Sequence, residues 1–362
     1  MIRKKSNYYI LVITFIIFLM HCCIYNSKSN NFVFADNTNS EIVMEMNSGR
    51  ILHENNAHTK KYMASTTKIL TAIVVLENCG ENDVVTVTKD TIGVEGSSIY
   101  LEEGEKLTVK ELLYGLMLRS GNDCAETLAV YCSGSIAEFA NLMNVTAKKI
   151  GATESNFVNP HGLHNDNHYT TAYDLALISR YAMRNKIFRE IVSTKSVIIP
   201  HIKRDYDRKL VNKNKMLNGV EGANGIKTGY TKKAGRCLVS SCVRNGMELI
   251  CVVLNCPPMF ERSTKLLENC FSTYKNYKLV ESDDILGFST VANSQEKCAL
   301  CVKNDVVLPL TLDEFEKIKI DYDYEKIIPK PEKNFVENGF VNIYVENNLI
   351  FQEKIYTILV LK

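Results

Sequence analysis

The chain has 362 residues, of which 46% are hydrophobic and 23% charged, so it can bury at least one large core. This composition excludes an intrinsically disordered, collagen-like or polytopic membrane protein, and the length predicts two domains. The formal net charge is +2, and residues 36–278 carry thirty basic against twenty-six acidic groups. Because this balance leaves no basic surface, we expect no nucleic-acid partner.

The N-terminal segment has the features of an export signal in the usual order. Basic residues at positions 3–5 precede an apolar run over residues 8–24, and Ala35 offers a cleavage site farther along the chain. Residues 1–35 are therefore predicted to be a signal peptide, or an uncleaved membrane anchor. In both cases the protein is expected to act outside the cytoplasm.

The cysteines are predicted to be mainly buried thiols. The chain has twelve, and several, such as Cys242 and Cys251, lie inside apolar runs where free cysteine packs as a small hydrophobe. Cys298 and Cys301 have the CxxC spacing of half a zinc or redox site, but no second pair follows them. We therefore interpret them as ordinary strand cysteines, and we expect no metal site and no cofactor.

The first elements after the signal are a hairpin and a helix. Residues 40–46 and 50–53 are β-rich and flank a turn at residues 47–49. Residues 66–78 are predicted to form a core helix, because apolar residues recur there at helical spacing: Ile69, Leu70, Ile73, Val74 and Leu76.

Further helices are indicated by capping signals and periodicity. Residues 108–111 and 135–138 match the capping box, and the second of these helices is expected to end near Gly151. Residues 171–185 and 260–275 are also predicted to be helical.

The C-terminal half is predicted to be rich in strands. Residues 237–244 and 247–254 flank Asn245 and Gly246, the strongest short signal for a hairpin. Residues 279–362 combine short apolar runs, Asn-Asn and Asn-Gly turns and an excess of acidic residues, which predicts a separate small β domain.

Ser65 and Lys68 stand at the start of the first predicted helix, one turn apart on the same face. A serine hydroxyl becomes a nucleophile when a neighbouring base takes its proton, and a lysine serves if burial and nearby cations lower its pKa. The S-x-x-K spacing alone is weak evidence, because it also occurs at residues 272–275 and 294–297.

Two further motifs distinguish Ser65 from the other matches. Ser120 and Asn122 belong to an S-G-N sequence between two predicted helices, and they offer a hydroxyl and an amide. Lys227, Thr228 and Gly229 form the one K-T-G sequence in the chain, which supplies a cation and a hydroxyl for a carboxylate, with a glycine that lets substrate approach the backbone. S-x-x-K, S-D-N and K-T-G in this order are the motif set of penicillin-binding proteins and class A β-lactamases.

The chain resembles low-molecular-weight penicillin-binding proteins of the D-alanyl-D-alanine carboxypeptidase family. Residues 64–72, 119–123 and 225–231 are similar to the three motif segments of that family, and residues 159–163 and 170–174 also resemble family segments. The resemblance extends from Ser40 to the end of the chain. This chain departs from the family pattern directly after K-T-G, where Tyr230 stands in place of the histidine found in many relatives.

The resemblance implies a fold class and domain boundaries. Residues 36–278 would form an α/β (α+β) catalytic domain of the penicillin-binding and serine β-lactamase type, and residues 279–362 a small C-terminal all-β domain that holds it away from the membrane. The last residues, 356–362, are unlike an anchor helix, so any membrane attachment is expected through the N-terminal segment.

The resemblance also implies catalytic roles. Ser65 would attack the carbonyl between two terminal D-alanines of a peptidoglycan stem peptide, and Lys68 would accept its proton. Ser120 and Lys227 would pass that proton to the departing D-alanine. β-Lactams would act as covalent inhibitors on the same serine.

Four positions are implied to bind the substrate together with Lys227. Asn122 would bind the peptide amide, and Thr228 with Lys227 the terminal carboxylate, beside Gly229. The backbone N–H groups of Ser65 and Tyr230 would stabilise the oxyanion.

Two alternative functions remain open at the level of sequence. A serine β-lactamase would share the fold but needs a glutamate-activated water, for which no segment after Ser120 clearly offers the residues. A non-catalytic wall-binding relative would not need Ser65, Lys68, Ser120 and Lys227 intact. His161 lies in a polar loop and is interpreted as structural, since Lys68 already fills the role of base.

Overall fold

The computed structural model describes residues 38–201 and 204–359. The predicted export signal lies outside these residues. In the described part the strands of the first domain are β1 (Ser40–Glu45), β2 (Ile51–Asn55), β3 (Val84–Thr86), β4 (Lys106–Thr108), β5 (Ser196–Ile199), β6 (Arg208–Val211), β7 (Ala223–Thr231), β8 (Gly235–Arg244) and β9 (Met247–Leu254). Its α-helices are α1 (Lys68–Asn78), α2 (Val109–Leu118), α3 (Asn122–Ser133), α4 (Ile136–Ile150), α5 (Ala172–Ala182), α6 (Lys186–Ser193), α7 (Met216–Gly219) and α8 (Met259–Thr273).

A five-stranded antiparallel sheet forms the centre of this domain, in the order β2-β1-β9-β8-β7. Both predicted hairpins are confirmed, since β1 pairs with β2 and β8 with β9. Asn245 and Gly246 have φ of 48° and 75°, as the tight turn between β8 and β9 requires. Apolar side chains of α1–α6 pack on one face of the sheet, while α7 and α8 pack on the other.

The predicted helix starts are confirmed where capping chemistry supports them. Thr108 and Glu111 cap α2 reciprocally, and Ser135 accepts a hydrogen bond from the Glu138 N–H at the start of α4. Helix α4 ends at Gly151, whose φ is 94°.

The predicted helix over residues 171–185 is wrong at its C-terminal end. Helix α5 ends at Ala182, and Asn185 begins a new helix instead of ending the first one. The Asn185 side chain accepts hydrogen bonds from the N–H groups of Ile187 and Phe188, which is the chemistry of an N-cap.

The C-terminal part is an all-β sheet domain with one short helix. Its elements are β10 (Lys275–Val280), β11 (Gly287–Val291), β12 (Lys297–Cys301), β13 (Val306–Leu310), α9 (Leu312–Glu316), β14 (Ile318–Tyr324), β15 (Ile327–Ile328), β16 (Val336–Val345) and β17 (Asn348–Leu359). Six strands form a sheet in the order β14-β16-β17-β12-β11-β15, and β10 pairs with β13. Cys298 and Cys301 are buried free thiols in β12, as their interpretation as strand cysteines predicts.

Arg50, just before β2, joins the two parts of the molecule. Its guanidinium donates hydrogen bonds to the Pro309 carbonyl and to Glu314, and it lies 5.7 Å from the centre of the Tyr274 ring. The predicted boundary after Lys278 falls inside β10, which is paired along its length with β13.

Candidate active site

Ser65 lies in a 3-10 turn, Ala64–Thr67, that leads directly into α1. The hydroxyl groups of Thr66 and Thr67 donate to the carbonyls of Met63 and Ala64, at 2.6 and 2.8 Å, and so hold the turn in shape. The α-helix begins at Lys68, three residues after Ser65. The side chain of Ser65 is partly exposed.

Lys68 is completely buried in the first turn of α1. Its Nζ lies 3.2 Å from Ser65 Oγ, and it donates to Asn122 Oδ1 at 2.7 Å and to the His161 carbonyl at 2.6 Å. Burial, and then the positive charge of Lys227, hold the pKa of Lys68 well below its usual value. The geometry therefore brings together the predicted nucleophile and base.

Ser120 lies in the loop between α2 and α3, with a φ of 65°. It is buried except for the face that lines the same pocket as Ser65. Asn122 begins α3, and both polar atoms of its side chain have partners: Oδ1 accepts from Lys68, and Nδ2 donates one of its two N–H groups to the Glu95 carbonyl. In this structure Asn122 therefore holds Lys68.

The K-T-G sequence lies in the middle of β7, at the edge of the central sheet. Thr228 and Tyr230 face the pocket, whereas Lys227 is buried, with its Nζ 3.1 Å from the Thr228 carbonyl. Burial, and then the charge of Lys213, lower the pKa of Lys227 to about 7.

Gly229 lies where β7 passes very close to the nucleophile turn, the turn Ala64–Thr67 that carries the predicted nucleophile. A β-carbon at this position would lie 3.0 Å from the Met63 carbonyl and 3.1 Å from the backbone nitrogens of Ser65 and Thr66. The sequence argument assigned this glycine to the approach of substrate. In the structure, its missing side chain also lets the strand contact the serine's own backbone.

The three motifs line one pocket of about 380 Å³. Among the described residues, its lining has three exposed cations and no carboxylate. The residues that line it are Ser65, Ser97, Ser120, Lys213, Lys215, Thr228, Gly229, Tyr230, Arg236, Met259 and Phe260. The sequence reasoning missed Ser97, Lys213, Lys215, Arg236, Met259 and Phe260, because none belongs to a motif and the tertiary fold alone brings them to the serine.

The loop at residues 159–163 packs against the turn that carries Ser65. Gly162 has a φ of 87°, and a β-carbon there would lie 2.0 Å from the Ala64 carbonyl. The His161 Nδ1 accepts from the Leu163 N–H, and its Nε2 lies 3.2 Å from a carboxylate oxygen of Glu126. Burial, and then the charge of Lys68, lower the pKa of His161 to about 3, so the ring is neutral and fits the structural role predicted for it.

Among the described residues, one group could offer three metal-ligand atoms within 4.8 Å of one another: Glu102, Glu105 and His201. Both carboxylate oxygens of Glu105 accept hydrogen bonds from Arg208, and Glu102 pairs with Arg204. The group is an ion-pair cluster whose charges are already balanced.

Comparison with known proteins identifies the family. The model of the D-alanyl-D-alanine carboxypeptidase family, peptidase family S11, matches residues 27–257. The chain belongs to this family. A second model, for the C-terminal domain of penicillin-binding protein 5, matches residues 274–359.

Several relatives of this carboxypeptidase are similar over most of their length. The D-alanyl-D-alanine carboxypeptidase DacF of Bacillus subtilis is 32% identical over 273 residues, which cover 73% of this chain and 69% of the relative. DacD of Salmonella typhimurium is 29% identical over 88% of this chain and 84% of its own length. The crystal structure of penicillin-binding protein 5 from Haemophilus influenzae is 27% identical, with a TM-score of 0.77 over 88% of this chain and 96% of that one.

The protein is therefore a serine-type D-Ala-D-Ala carboxypeptidase, a hydrolase with the penicillin-binding fold. The relatives do not favour the β-lactamase and wall-binding alternatives. In the part of the chain that the structure describes, no helix has the length and apolar character needed to cross a membrane.

Proposed function

We propose that Ser65 attacks the carbonyl between the two terminal D-alanines of a peptidoglycan stem peptide, and that Lys68 accepts the proton of Ser65. The new Ser65 Oγ–carbon bond replaces the bond to the departing D-alanine and gives an acyl-enzyme. Water then releases the shortened peptide and restores Ser65. The observation that carries this proposal is the contact between Ser65 Oγ and Nζ of the completely buried Lys68.

The partners of Lys68 accommodate its neutral form as the base, which burial and the charge of Lys227 favour. A neutral amine has two N–H groups and one lone pair. Asn122 Oδ1 and the His161 carbonyl are acceptors only, so they take the two N–H groups. The lone pair then points to Ser65 Oγ, the one remaining contact, where it can receive the hydroxyl proton.

The proton must next reach the leaving D-alanine, and we assign this step to Ser120 and Lys227. Ser120 lines the pocket beside Ser65, so its hydroxyl can relay a proton to a departing amine. Lys227 is buried and has a pKa of about 7, which lets it gain and lose a proton near neutrality.

We assign the binding of the substrate's terminal carboxylate to the side chain of Thr228 and the charge of Lys227. Lys213, Lys215 and Arg236 add positive charge around the pocket, which suits a ligand that ends in a carboxylate. For Asn122 we propose first the positioning of Lys68. The predicted contact with the peptide would use the second N–H of Asn122 Nδ2, because the Glu95 carbonyl takes one of the two.

We assign the stabilisation of the oxyanion to the backbone N–H groups of Ser65 and Tyr230. The close approach of Gly229 to the Ser65 nitrogen supports this assignment, since it sets β7 directly against the nucleophile turn. Tyr230 has an exposed side chain, and Arg236 lies 5.3 Å from its ring centre.

We further propose that the enzyme acts outside the cytoplasm, with residues 1–35 as its export signal and the C-terminal domain as a spacer. Its substrate would be a stem peptide ending in D-Ala-D-Ala, and β-lactams would be covalent inhibitors. For the domain boundary we propose the region around Thr273, where α8 ends, because β10 already pairs within the β domain.

Acylation by a β-lactam tests the assignment of the nucleophile. Because the β-lactam carbonyl takes the place of the D-Ala-D-Ala carbonyl, we expect one penicillin adduct per chain, located on Ser65 by peptide mass spectrometry. Ser65→Ala should carry no adduct, whereas Ser272→Ala, at another S-x-x-K match, should be labelled like the native chain. An adduct on Ser120, or none in folded protein, would contradict the proposal.

Turnover distinguishes the carboxypeptidase from the two alternatives that the sequence alone left open. A carboxypeptidase releases D-alanine from a peptide ending in D-Ala-D-Ala and turns over β-lactam slowly. Rapid β-lactam hydrolysis without D-alanine release would identify a β-lactamase, and binding without either reaction a wall-binding relative.

The pH profile of kcat/KM should reflect the protonation of both buried lysines, Lys68 and Lys227. Activity should rise with pH as Lys68 loses its proton. It should fall above about pH 7 as Lys227 loses the charge that holds the carboxylate. Lys227→Arg keeps a positive charge at all these pH values, so the alkaline decline should disappear even if the maximum is lower. An unchanged alkaline limb in this variant would assign that limb to another group.

Removal of the β domain tests its role as a spacer. A chain ending at Thr273 keeps α8 and all residues that line the pocket, so it should retain D-alanine release from a soluble peptide to within about threefold. Circular dichroism must first show that it is folded, because Arg50 loses its contacts with Tyr274, Pro309 and Glu314 at the cut. A folded truncation with a loss of more than about a hundredfold in kcat/KM, or about 2.7 kcal/mol, would assign part of catalysis to the β domain.

A further inference from the structure

A second cavity adjoins the active-site pocket. It has a volume of about 470 Å³ and lies between α7 and the first two turns of α8. Lys215 and Phe260 line both cavities, so the two meet at these residues. The remaining lining residues have no role in the reaction proposed above: Met216, Gly219, Val220, Glu261, Thr264 and Lys265.

The lining of this second cavity suits an apolar group. Met216, Val220 and Phe260 present thioether, aliphatic and aromatic surface. The hydroxyl of Thr264 donates to the Phe260 carbonyl at 2.9 Å, so its proton already has an acceptor. Apolar walls with charges at exposed positions are typical of a pocket that takes an apolar side chain. The exposed charged residues of the lining are Lys215, Glu261 and Lys265.

The register of the sheet places this cavity on the same side as the Thr228 side chain. Thr228 is paired with Leu238 of β8, and directly opposed residues of antiparallel strands point to the same face of a sheet. Leu238 packs in one apolar cluster with Met216 of α7 and with side chains of α8. The Thr228 side chain therefore lies on the face that α7 and α8 cover, whereas Lys227 and Gly229 point to the opposite face, toward the nucleophile turn.

This placement concerns the C-terminal residue of the substrate. In the proposed reaction its carboxylate binds Thr228, while the scissile carbonyl lies at Ser65 Oγ. The α-carbon of the departing residue carries both the carboxylate and the side chain, so the side chain starts beside Thr228, on the face that α7 and α8 cover. A side chain longer than the methyl group of D-alanine can extend from there past Lys215 and Phe260 into the second cavity.

We propose that the second cavity is a subsite for the side chain of the C-terminal D-residue, and that the enzyme removes larger apolar D-residues as well as D-alanine. The inference rests on the proposed function and leaves its chemistry unchanged. Ser65 Oγ bonds to the carbonyl carbon, the peptide C–N bond breaks, and the amine of the departing D-residue takes the proton. Water then releases the shortened peptide from Ser65.

Release of three different C-terminal residues by the full-length enzyme tests the proposal without a variant. The substrates are acetylated tripeptides that end in D-Ala-D-Ala, D-Ala-D-Met or D-Ala-D-Gln, and the free D-amino acid is measured by chromatography. The side chains of D-Met and D-Gln have similar lengths, but an amide held against apolar walls loses its hydrogen bonds to water. We expect kcat/KM for the D-Met peptide to be within about threefold of that for the D-Ala peptide, and about tenfold above that for the D-Gln peptide.

Gly219→Leu places a side chain in the proposed subsite. Gly219 is the last residue of α7, and a β-carbon there meets nothing within 4 Å, so the variant should fold. We expect it to lower kcat/KM for the D-Met peptide by about tenfold relative to the value for the D-Ala peptide. Asn218→Leu adds the same side chain one position earlier, at an exposed residue outside the lining, and should keep the native ratio. A ratio measured within one protein does not depend on the fraction that is folded.

The outcomes separate the subsite from the proposed function. Release of D-alanine without measurable release of D-Met would refute the subsite and leave the proposed function intact. Equal rates for the D-Met and D-Gln peptides, or equal ratios in Gly219→Leu and Asn218→Leu, would show that the side chain does not enter this cavity. No release of any residue by folded enzyme would contradict the proposed function itself, and the subsite with it.

Discussion

Replacing Lys68 with alanine is expected to lower the second-order rate of acylation by about 10²–10⁴, for both a β-lactam and a D-Ala-D-Ala peptide. The reason is that the Lys68 amine is the one basic group among the described residues that contacts Ser65 Oγ, and its two other partners can only accept hydrogen bonds. Without it the hydroxyl proton has no acceptor. Stopped-flow labelling with a fluorescent penicillin measures the loss directly.

Lys227→Ala is the informative comparison for this prediction. Lys227 is as deeply buried as Lys68 but has no contact with Ser65 Oγ; its Nζ lies near the Thr228 carbonyl. Its loss should raise KM for the peptide more than it lowers kcat, because it is assigned to the carboxylate. Equal and small losses for both variants, with both folded by circular dichroism, would show that the roles are assigned wrongly.

Gly162→Ala should destabilise the enzyme by about 3 kcal/mol or more and lower its melting temperature by about 6–12 °C. The added methyl group would lie 2.0 Å from the Ala64 carbonyl and 2.9 Å from Thr67 Oγ1, so the backbone on one side must move. Because Ala64 precedes Ser65, a shift of about 1 Å there is expected to slow acylation by about a hundredfold.

Gly134→Ala separates this steric effect from simple backbone strain. Gly134 has a φ of 78°, close to the 87° of Gly162, but a methyl group there meets nothing within 4 Å. It should cost about 1 kcal/mol and leave acylation unchanged. Similar losses of stability and of acylation in the two variants, measured by calorimetry and penicillin labelling, would rule out a specific contact between Gly162 and the nucleophile turn.

The parts of the site that could be predicted from sequence are those fixed by local chemistry. Ser65 and Lys68 lie one turn apart on one short stretch, so their contact follows from helix geometry. Asn245 and Gly246 favour a tight turn through their local backbone preferences, independently of tertiary contacts. Helix periodicity was less informative, because apolar spacing continues across the break near Asn185, and the capping function of this residue decides the boundary.

What sequence could not provide are the contacts made only by the tertiary fold. Lys213 and Arg236 reach the pocket from separate segments, and no spacing relates them to Ser65. The contacts of Asn122 with the Glu95 carbonyl and with Lys68 are of the same kind, and they add the positioning of Lys68 to the role predicted for that side chain. The other S-x-x-K matches also needed the fold: Ser272 lies in α8 and Lys275 begins β10, so they do not share a helix face.

The cationic rim of the pocket also influences how fast ligands arrive. Lys213, Lys215 and Arg236 surround an opening whose lining has no carboxylate, although the formal charge of the whole chain is only +2. Such a local field attracts anionic peptides and penicillins over a distance of about 10 Å at moderate ionic strength, and added salt weakens it. We therefore expect the encounter step to be sensitive to ionic strength, whereas the proton transfer proposed between Ser65 and the buried Lys68 should be shielded from it.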